Sequence, residues 1–493
     1  MEAQVETPPD LSWPSIKHYV GTRISSLRPP CWEESKGQIN PFPHLRKIDG
    51  RTWSQIGVAF FAWAWDAFDF FSVSLTASDI AKTLDVSITK VSWGITLVLM
   101  LRSVGAVTFG LAADKWGRKW PFIINLVLFI VLELGTGFVQ TYKQFLAVRA
   151  LYGIAMGGIF GNCAATALED CPIEARGFIS GLLQQGYAFG YLLVVIFARA
   201  LVNTTSHGWR PLYWFGAGVP VIIIAWRLTL GETRHYERMK ADKGTLGKSF
   251  IKQTKVAMRT HWLMMIYLVL FMTGMNYMSH GSQDLFPTRL TKQFLFGPNK
   301  STVTNCVANI GALCGGVLVG HFSQFIGRRV ALMACCVVGA ALIYPWGFST
   351  SFAGITVSVF FFQMCVQGAW GVVPIHLSEL SPESLRASVV GLSYQLGNLA
   401  SSASSTIEAR LGSRFPLPNP KGAHLHPIYD YGKVMAILVG AVFAYTFLIV
   451  LIGPERRDST QVHTIEDEFE KRSVDHVDKA DGEDGEETSG RIV

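Results

Sequence analysis

Apolar runs of about 20 residues recur along this chain from Trp53 almost to Gly453, and each is long enough to cross a bilayer as an α-helix. Twelve can be counted. The first six begin near Trp53, Val91, Trp120, Phe145, Gly177 and Pro211, and the second six near Trp262, Val303, Val330, Phe352, Ser388 and Gly432. Such runs leave few folds open. In hydrocarbon every backbone N–H and C=O must find a protein partner, and runs of this length find them within a helix. Composition agrees: 49% of the residues are hydrophobic and 16% charged, where a soluble domain carries roughly a quarter charged residues. The sequence predicts an all-α membrane protein with twelve transmembrane helices.

The two sets of six are copies of each other. Gly110, Gly117, Arg118 and Lys119 have counterparts in Gly320, Gly327, Arg328 and Arg329, all displaced by 210 residues. Glu169, Pro172, Arg176, Gly181 and Gln185 match Glu379, Pro382, Arg386, Gly391 and Gln395 at the same offset, and Asp66 falls on Asn276. Matches in three separate regions at one offset indicate duplication. The predicted organisation is an N-terminal tail over 1–52, a six-helix repeat over 53–230, a basic linker over 231–261, a second six-helix repeat over 262–453 and a tail over 454–493. Within the loop motif the copies depart from each other where Gln324 stands in the place of Asp114.

Charge sets the orientation. The linker carries eight Lys/Arg, and the turns at Lys115, Arg118 and Lys119 and at Arg328 and Arg329 are basic. All lie on the side shared by both termini, so both termini are expected to be cytosolic; the expected location of this multi-pass chain is the plasma membrane. Nothing at the N-terminus looks like a cleavable signal peptide. Sequons at Asn203 and Asn299 fall on the opposite side. The formal charge of +7 hides a split: from Gly453 onward 13 acids face six Lys/Arg, a net of −7, which leaves +14 on the rest. That tail reads as disordered and exposes Lys471 and Lys479 to ubiquitylation machinery. The basic loops face membrane lipid and do not point to nucleic acid. The eight cysteines form no CxxC pair and read as small apolar residues. No metal, nucleotide or other cofactor motif appears.

Residues 276–288, NYMSHGSQDLFPT, carry the chemistry. Asn276, His280, Asp284 and Thr288 recur every four residues and form one stripe on a helix, with Ser279 and Gln283 beside it. An ionisable group at the centre of a membrane helix costs about 2.5–3.5 kcal/mol on insertion scales, so such groups usually face a water-filled cavity and serve it. Arg102 falls about eleven residues into the second run, near mid-membrane. It is placed either to hold an anion through its guanidinium fork or to pair with Asp66 or Asp69 in the first run, and both roles remain open. Arg149 is expected to snorkel to the headgroups. His280, Asp284, Asp66 and Asp69 are candidate proton carriers, with Glu133 a weaker one. Gln395 and Asn398, three apart, share a face of the eleventh helix, where amides serve either a ligand or a neighbouring helix.

The stretch GLAADKWGRK at 110–119 resembles the loop signature between helices two and three of the major facilitator superfamily, and the six-plus-six layout fits that superfamily. The resemblance implies a site between the halves, alternating access, and a gating role for Gly110, Asp114, Gly117, Arg118 and Arg328. Residues 276–288 resemble more narrowly the signature of fungal Jen-type carboxylate/proton symporters, through Asn276, Ser279, His280, Ser282, Gln283, Asp284 and Thr288. That resemblance implies proton-coupled uptake of short carboxylates such as lactate and pyruvate. It also implies binding roles for Asn276, His280, Gln283, Asp284, Gln395, Asn398 and an arginine best matched by Arg102. The expected partners are therefore a small carboxylate and protons. Dicarboxylate/proton and phosphate/proton symport are the alternatives. A sugar facilitator would carry fewer midplane charges. A non-transporting nutrient sensor on the same fold would be separated by measured uptake. An intramembrane hydrolase using Ser279, His280 and Asp284 fails on geometry, since adjacent helical side chains project about 100° apart.

Overall fold

The computed structural model describes residues 11–27, 39–86, 88–243, 258–382, 385–412, 414–417 and 428–455. Residues up to Glu455 form one compact unit. The acidic tail with Lys471 and Lys479, and residues 244–257 of the basic linker, lie outside the described residues.

Among the described residues twelve long helices follow in order. The first half comprises α1 (Gly50–Thr83), α2 (Ile88–Trp116), α3 (Lys119–Phe138), α4 (Tyr142–Leu168), α5 (Ile173–Leu201) and α6 (Arg210–Thr229). The second comprises α7 (Trp262–Gln283), α8 (Pro298–Ile326), α9 (Arg328–Phe348), α10 (Phe352–Leu380), α11 (Arg386–Ser401, resuming as Ser404–Gly412) and α12 (Tyr431–Ile452). Each begins within five residues of its expected start. Side-chain caps set several ends: Asp49 accepts from Thr52 N at 3.2 Å, and Thr141 and Gln144 form a capping box.

Eleven of the twelve are long and apolar enough to cross a membrane by composition. The exception is α11, whose inward face carries Ser388, Ser393, Gln395, Asn398 and Ser401, all buried by neighbouring helices. Its polarity belongs to the protein interior. Lipid would meet α11 only where neighbours leave it uncovered.

The repeat is visible in local geometry. Gly117 and Gly327 occupy equivalent turns with φ of 95° and 103°, a region that favours glycine because a Cβ would clash with the backbone there. The arginine after each glycine reaches a carboxylate 51 residues later: Arg118 contacts Glu169 at 2.7 Å and Arg328 contacts Glu379 at 3.0 Å.

The halves meet through α2 on α11 and α5 on α8. Near the end that carries the termini, these contacts are made backbone to backbone. A Cβ on Gly110 would sit 2.8 Å from Ser388 Cα, and one on Gly181 would sit 2.4 Å from Gly316 O. Small residues let the helices approach closely enough to close that end. The N-terminal segment docks at the same end, where Tyr19 donates to Ile452 O at 3.0 Å.

Candidate functional site

Between the halves lies a cavity of about 420 Å³, with Arg102, Tyr187, Asn276, His280, Asp284 and Asn398 among its lining residues. Ser279, Gln283, Phe71, Gln184, Gln367 and Trp370 also reach it. Six helices (α1, α2, α5, α7, α10 and α11) thus contribute. Its floor toward the terminal end is aromatic: Tyr394 stacks on Phe160 at 4.2 Å and meets Trp370 at 5.6 Å and Trp63 at 5.8 Å. In the other direction Phe71 and Gln283 border a second cavity of about 400 Å³, lined by Tyr191, Asn305, Asn309 and Gln363. Those residues lie toward the ends of α5 and α7 and the start of α8, on the side away from the termini. The site is therefore closed at the terminal end and continues toward the opposite end.

Three members of the stripe, Asn276, His280 and Asp284, come together on α7 and its C-cap, and the Thr288 side chain lies outside the described residues. His280 Nδ1 lies 3.2 Å from both carboxylate oxygens of Asp284, one turn further on, and Nε2 lies 3.2 Å from Asn398 Oδ1. Asn398 in turn donates to Gln395 Oε1 at 3.0 Å. With the amides so oriented both imidazole nitrogens face acceptors, an arrangement that suits the doubly protonated ring. Gln395 is one step back from the cavity, positioning Asn398 and not lining the space itself. Asn276 spends its amide N–H groups on Met272 O at 2.9 Å and Tyr394 O at 3.4 Å, which joins α7 to α11. Ser279 donates to Gln283 Oε1 at 3.3 Å, and Gln283 donates to Gln363 Oε1 at 2.9 Å. Ser282 accepts from Gln363 at 3.3 Å and so supports that amide from behind. The helix runs to Gln283, and a short segment, Phe286–Thr288, follows it.

Arg102 pairs with Asp66, one of the two partners the sequence offered, and lines the cavity as well. Its NH2 lies 3.2 Å from Asp66 Oδ2 and 3.1 Å from the Met156 sulfur, and its guanidinium stands 5.2 Å from the Phe70 ring centre. Its Nε has no partner among the described residues. The group is thus anchored at one edge while it lines the cavity. Asp66 is fully buried behind it.

Asp69 is elsewhere. It accepts from Tyr152 Oη at 2.7 Å in a buried cluster with Glu133 and Arg149, among α1, α3 and α4, and does not line the cavity. Arg149 corrects an expectation: it does not snorkel. It is 1% exposed, lies 3.8 Å from Glu133 and stacks 4.4 Å from the Tyr152 ring centre. Depth along the chain suggested the headgroups, but α4 turns this side chain inward, where the Glu133 carboxylate compensates its charge.

At the terminal end Asp114 ties the halves together. It accepts from Ala387 N at 3.2 Å, Ser388 N at 2.9 Å and Ser388 Oγ at 2.5 Å, the first turn of α11, and lies 3.0 Å from Arg118. A carboxylate at a helix N-terminus satisfies otherwise unpaired N–H groups and the helix dipole. Burial pushes the Glu169 carboxyl up, but the charge and hydrogen bonds of Arg118 outweigh it and hold Glu169 below the usual carboxylate range. In the second half Gln324 accepts from Arg328 at 2.6 Å, so Arg328 is satisfied without a carboxylate at that position.

Sequence reasoning missed Gln363, Gln367, Trp370, Tyr187 and Tyr394 as cavity or supporting groups. The signal existed for the first two: glutamines four apart inside the apolar run FFFQMCVQG mark a polar face on α10. The aromatics gave none, because aromatic residues in membrane helices usually face lipid or core.

Comparison places this geometry in a known family. Residues 56–405 match the Major Facilitator Superfamily. The chain is 43% identical over 473 residues to the carboxylic acid transporter protein homolog of Saccharomyces cerevisiae, covering 92% of this chain and 76% of that one. It is 25% identical over 377 residues to a probable 4-methylmuconolactone transporter of Cupriavidus pinatubonensis, covering 75% and 86%. Among solved structures, the proton:xylose symporter XylE bound to 6-bromo-6-deoxy-D-glucose superposes with a TM-score of 0.66 at 15% identity, over 80% of this chain and 94% of that one, a likeness of fold alone. The chain belongs to the major facilitator superfamily, in its fungal Jen-type branch, and is a multi-pass membrane transporter and not an enzyme.

Proposed function

We propose that this transporter takes up short-chain carboxylates (lactate, pyruvate and acetate) together with protons, by alternating access in the plasma membrane with both termini in the cytosol. The observation that carries this reading is that Arg102 and the His280–Asp284 pair, contributed by different halves, line one cavity. Arg102 offers the carboxylate a permanent cation in a low-dielectric space, where a charge-assisted hydrogen bond is stronger than in water. Asn398 and Gln283 are neutral donors to its second oxygen. His280 and Asp284 exchange the proton, since a bridging imidazole releases one as soon as its partners part. Asp66 moderates Arg102, so that a substrate carboxylate can take over part of its hydrogen bonding and leave again.

Asp114, Arg118 and Glu169, with Gly110 and Gly117 allowing close approach, serve as the cytosolic gate, and Arg328 with Glu379 is its weaker counterpart. When the gate parts, the same cavity empties to the cytosol. The likeness to the carboxylic acid transporter protein homolog of yeast supports an organic-acid substrate class. A second reading, dicarboxylate (succinate or malate) symport, is favoured by the presence of two cationic candidates, Arg102 and His280. Phosphate symport ranks behind it. Uptake of labelled lactate, pyruvate, succinate, malate and phosphate, at two external pH values, into yeast lacking its own carboxylate carriers separates these. Saturable uptake of a monocarboxylate that is faster at the lower pH is expected; phosphate uptake alone overturns the proposal.

A further inference from the structure

Glu408 is a carboxyl that the site as described does not use. It lies on the second segment of α11, Ser404–Gly412, after the helix breaks at Ser402 and Ala403. It is 0% exposed, and neither of its oxygens has a hydrogen-bond partner among the described residues. Gly281, between His280 and Asp284, lies beside it: a Cβ on Gly281 would stand 3.4 Å from Glu408 Oε1. From α12, Val439 and Leu438 also stand against that Gly281 position. Among the described residues the charged group that acts on Glu408 is Asp284, with His280 one turn back on α7. A buried carboxyl with no donor among the described residues leaves both oxygens free to take a proton.

We propose that Glu408 is a proton-binding site that stores the co-transported proton while the cavity is closed, exchanging it through Asp284 and His280. This rests on the carboxylate/proton reading given above. Charge balance supports it. Arg102 with Asp66 and protonated His280 with Asp284 are each neutral pairs. A carrier that is empty with Glu408 ionised then has the same net charge as one loaded with a monocarboxylate and a protonated Glu408. Both states cross the closed intermediate at equal charge. The break at Ser402 and Ala403 gives the segment bearing Glu408 a place to pivot as the halves rock.

The test uses the purified full chain in proteoliposomes, with labelled lactate, pyruvate and succinate as probes and thermal melting as the check on folding. For a one-to-one proton symporter an inward gradient of one pH unit sustains about tenfold accumulation of a monocarboxylate. Glu408→Gln is expected to lose this accumulation while keeping exchange of external for internal acid at equal pH within about twofold of wild type, and Glu408→Asp to restore accumulation. Glu408→Gln that still accumulates tenfold overturns the proposal. So does a well-folded Glu408→Gln that loses exchange and accumulation together, since Glu408 would then belong to binding or scaffold. A wild-type protein that moves none of the three acids overturns the underlying reading instead.

Discussion

Replacing Asp114 with Asn probes the contact that closes the terminal end. The native carboxylate accepts three hydrogen bonds from the first turn of α11, at 3.2, 2.9 and 2.5 Å, and one ion pair from Arg118 at 3.0 Å. Hydrogen bonds to a charged group contribute about 1.5–3 kcal/mol each. Asn keeps one acceptor oxygen, and Arg118 keeps Glu169 at 2.7 Å, so the whole set is not lost. The charge, at least one bond and the fit of an N–H₂ among donors are lost, for a net of about 2–4 kcal/mol against the closed end. That is roughly a 30- to 1,000-fold shift toward opening. The readout is a single cysteine at Ala165, buried with Ala113 and Ala387 beneath the contact, in an otherwise cysteine-free protein. Labelling of Ala165→Cys by a membrane-impermeant maleimide from the terminal side should rise at least tenfold in the Asp114→Asn background. Maximal uptake should fall with little change in apparent affinity, because the cavity residues are untouched. Unchanged labelling, or a large loss of affinity at an unchanged maximal rate, refutes the reasoning.

Other consequences follow from the same contacts. Arg102→Ala should weaken apparent substrate affinity roughly 30-fold or more, since truncating one member of a buried charge pair costs about 2–5 kcal/mol, and Arg102→Lys should be poorly tolerated. If Arg102→Ala combined with Asp66→Asn recovers near-normal uptake kinetics, Arg102 is scaffold and not site. Glu169 is depressed in the folded protein, so its stabilisation is present above the ordinary carboxylate range and is lost as pH falls through its lower folded value. Glu169→Gln should therefore lower the melting temperature at pH 7 and narrow its gap to wild type in strongly acidic buffer; a gap that widens in acid contradicts the assignment. Deleting residues 458–493 should leave transport kinetics intact and change surface residence time, measured by surface labelling, whereas collapsed kinetics assign the tail a structural role.

Much of this was legible because membrane burial makes sequence patterns stringent. The apolar runs had to be helices, and the offset of 210 carried over into matching turns at Gly117 and Gly327 and matching contacts at Arg118 and Arg328. The four-residue spacing in residues 276–288 did bring His280 onto Asp284. What escaped was set by partners on other helices. Arg149 read as a headgroup anchor because depth along a helix is visible in sequence and its facing direction is not. α11 was counted as a span although its polarity is unlike the other eleven, and that polarity is what builds the Gln395–Asn398–His280 chain. Asp69 and Asp66, three apart, looked equivalent; only packing sends one to Tyr152 and the other to Arg102. Glu408 gave no signal, since an acid near the end of an apolar run ordinarily reaches the headgroups.

The central claim is coupling of carboxylate to proton through His280 and Asp284, and proton flux tests it most directly. In proteoliposomes holding an internal pH indicator, a pulse of external lactate should acidify the lumen in step with lactate entry for the wild-type protein. His280→Ala and Asp284→Asn, inserted at normal density, should each abolish or severely reduce both signals. Lactate entry without acidification, or near-normal coupled entry in both variants, contradicts the account.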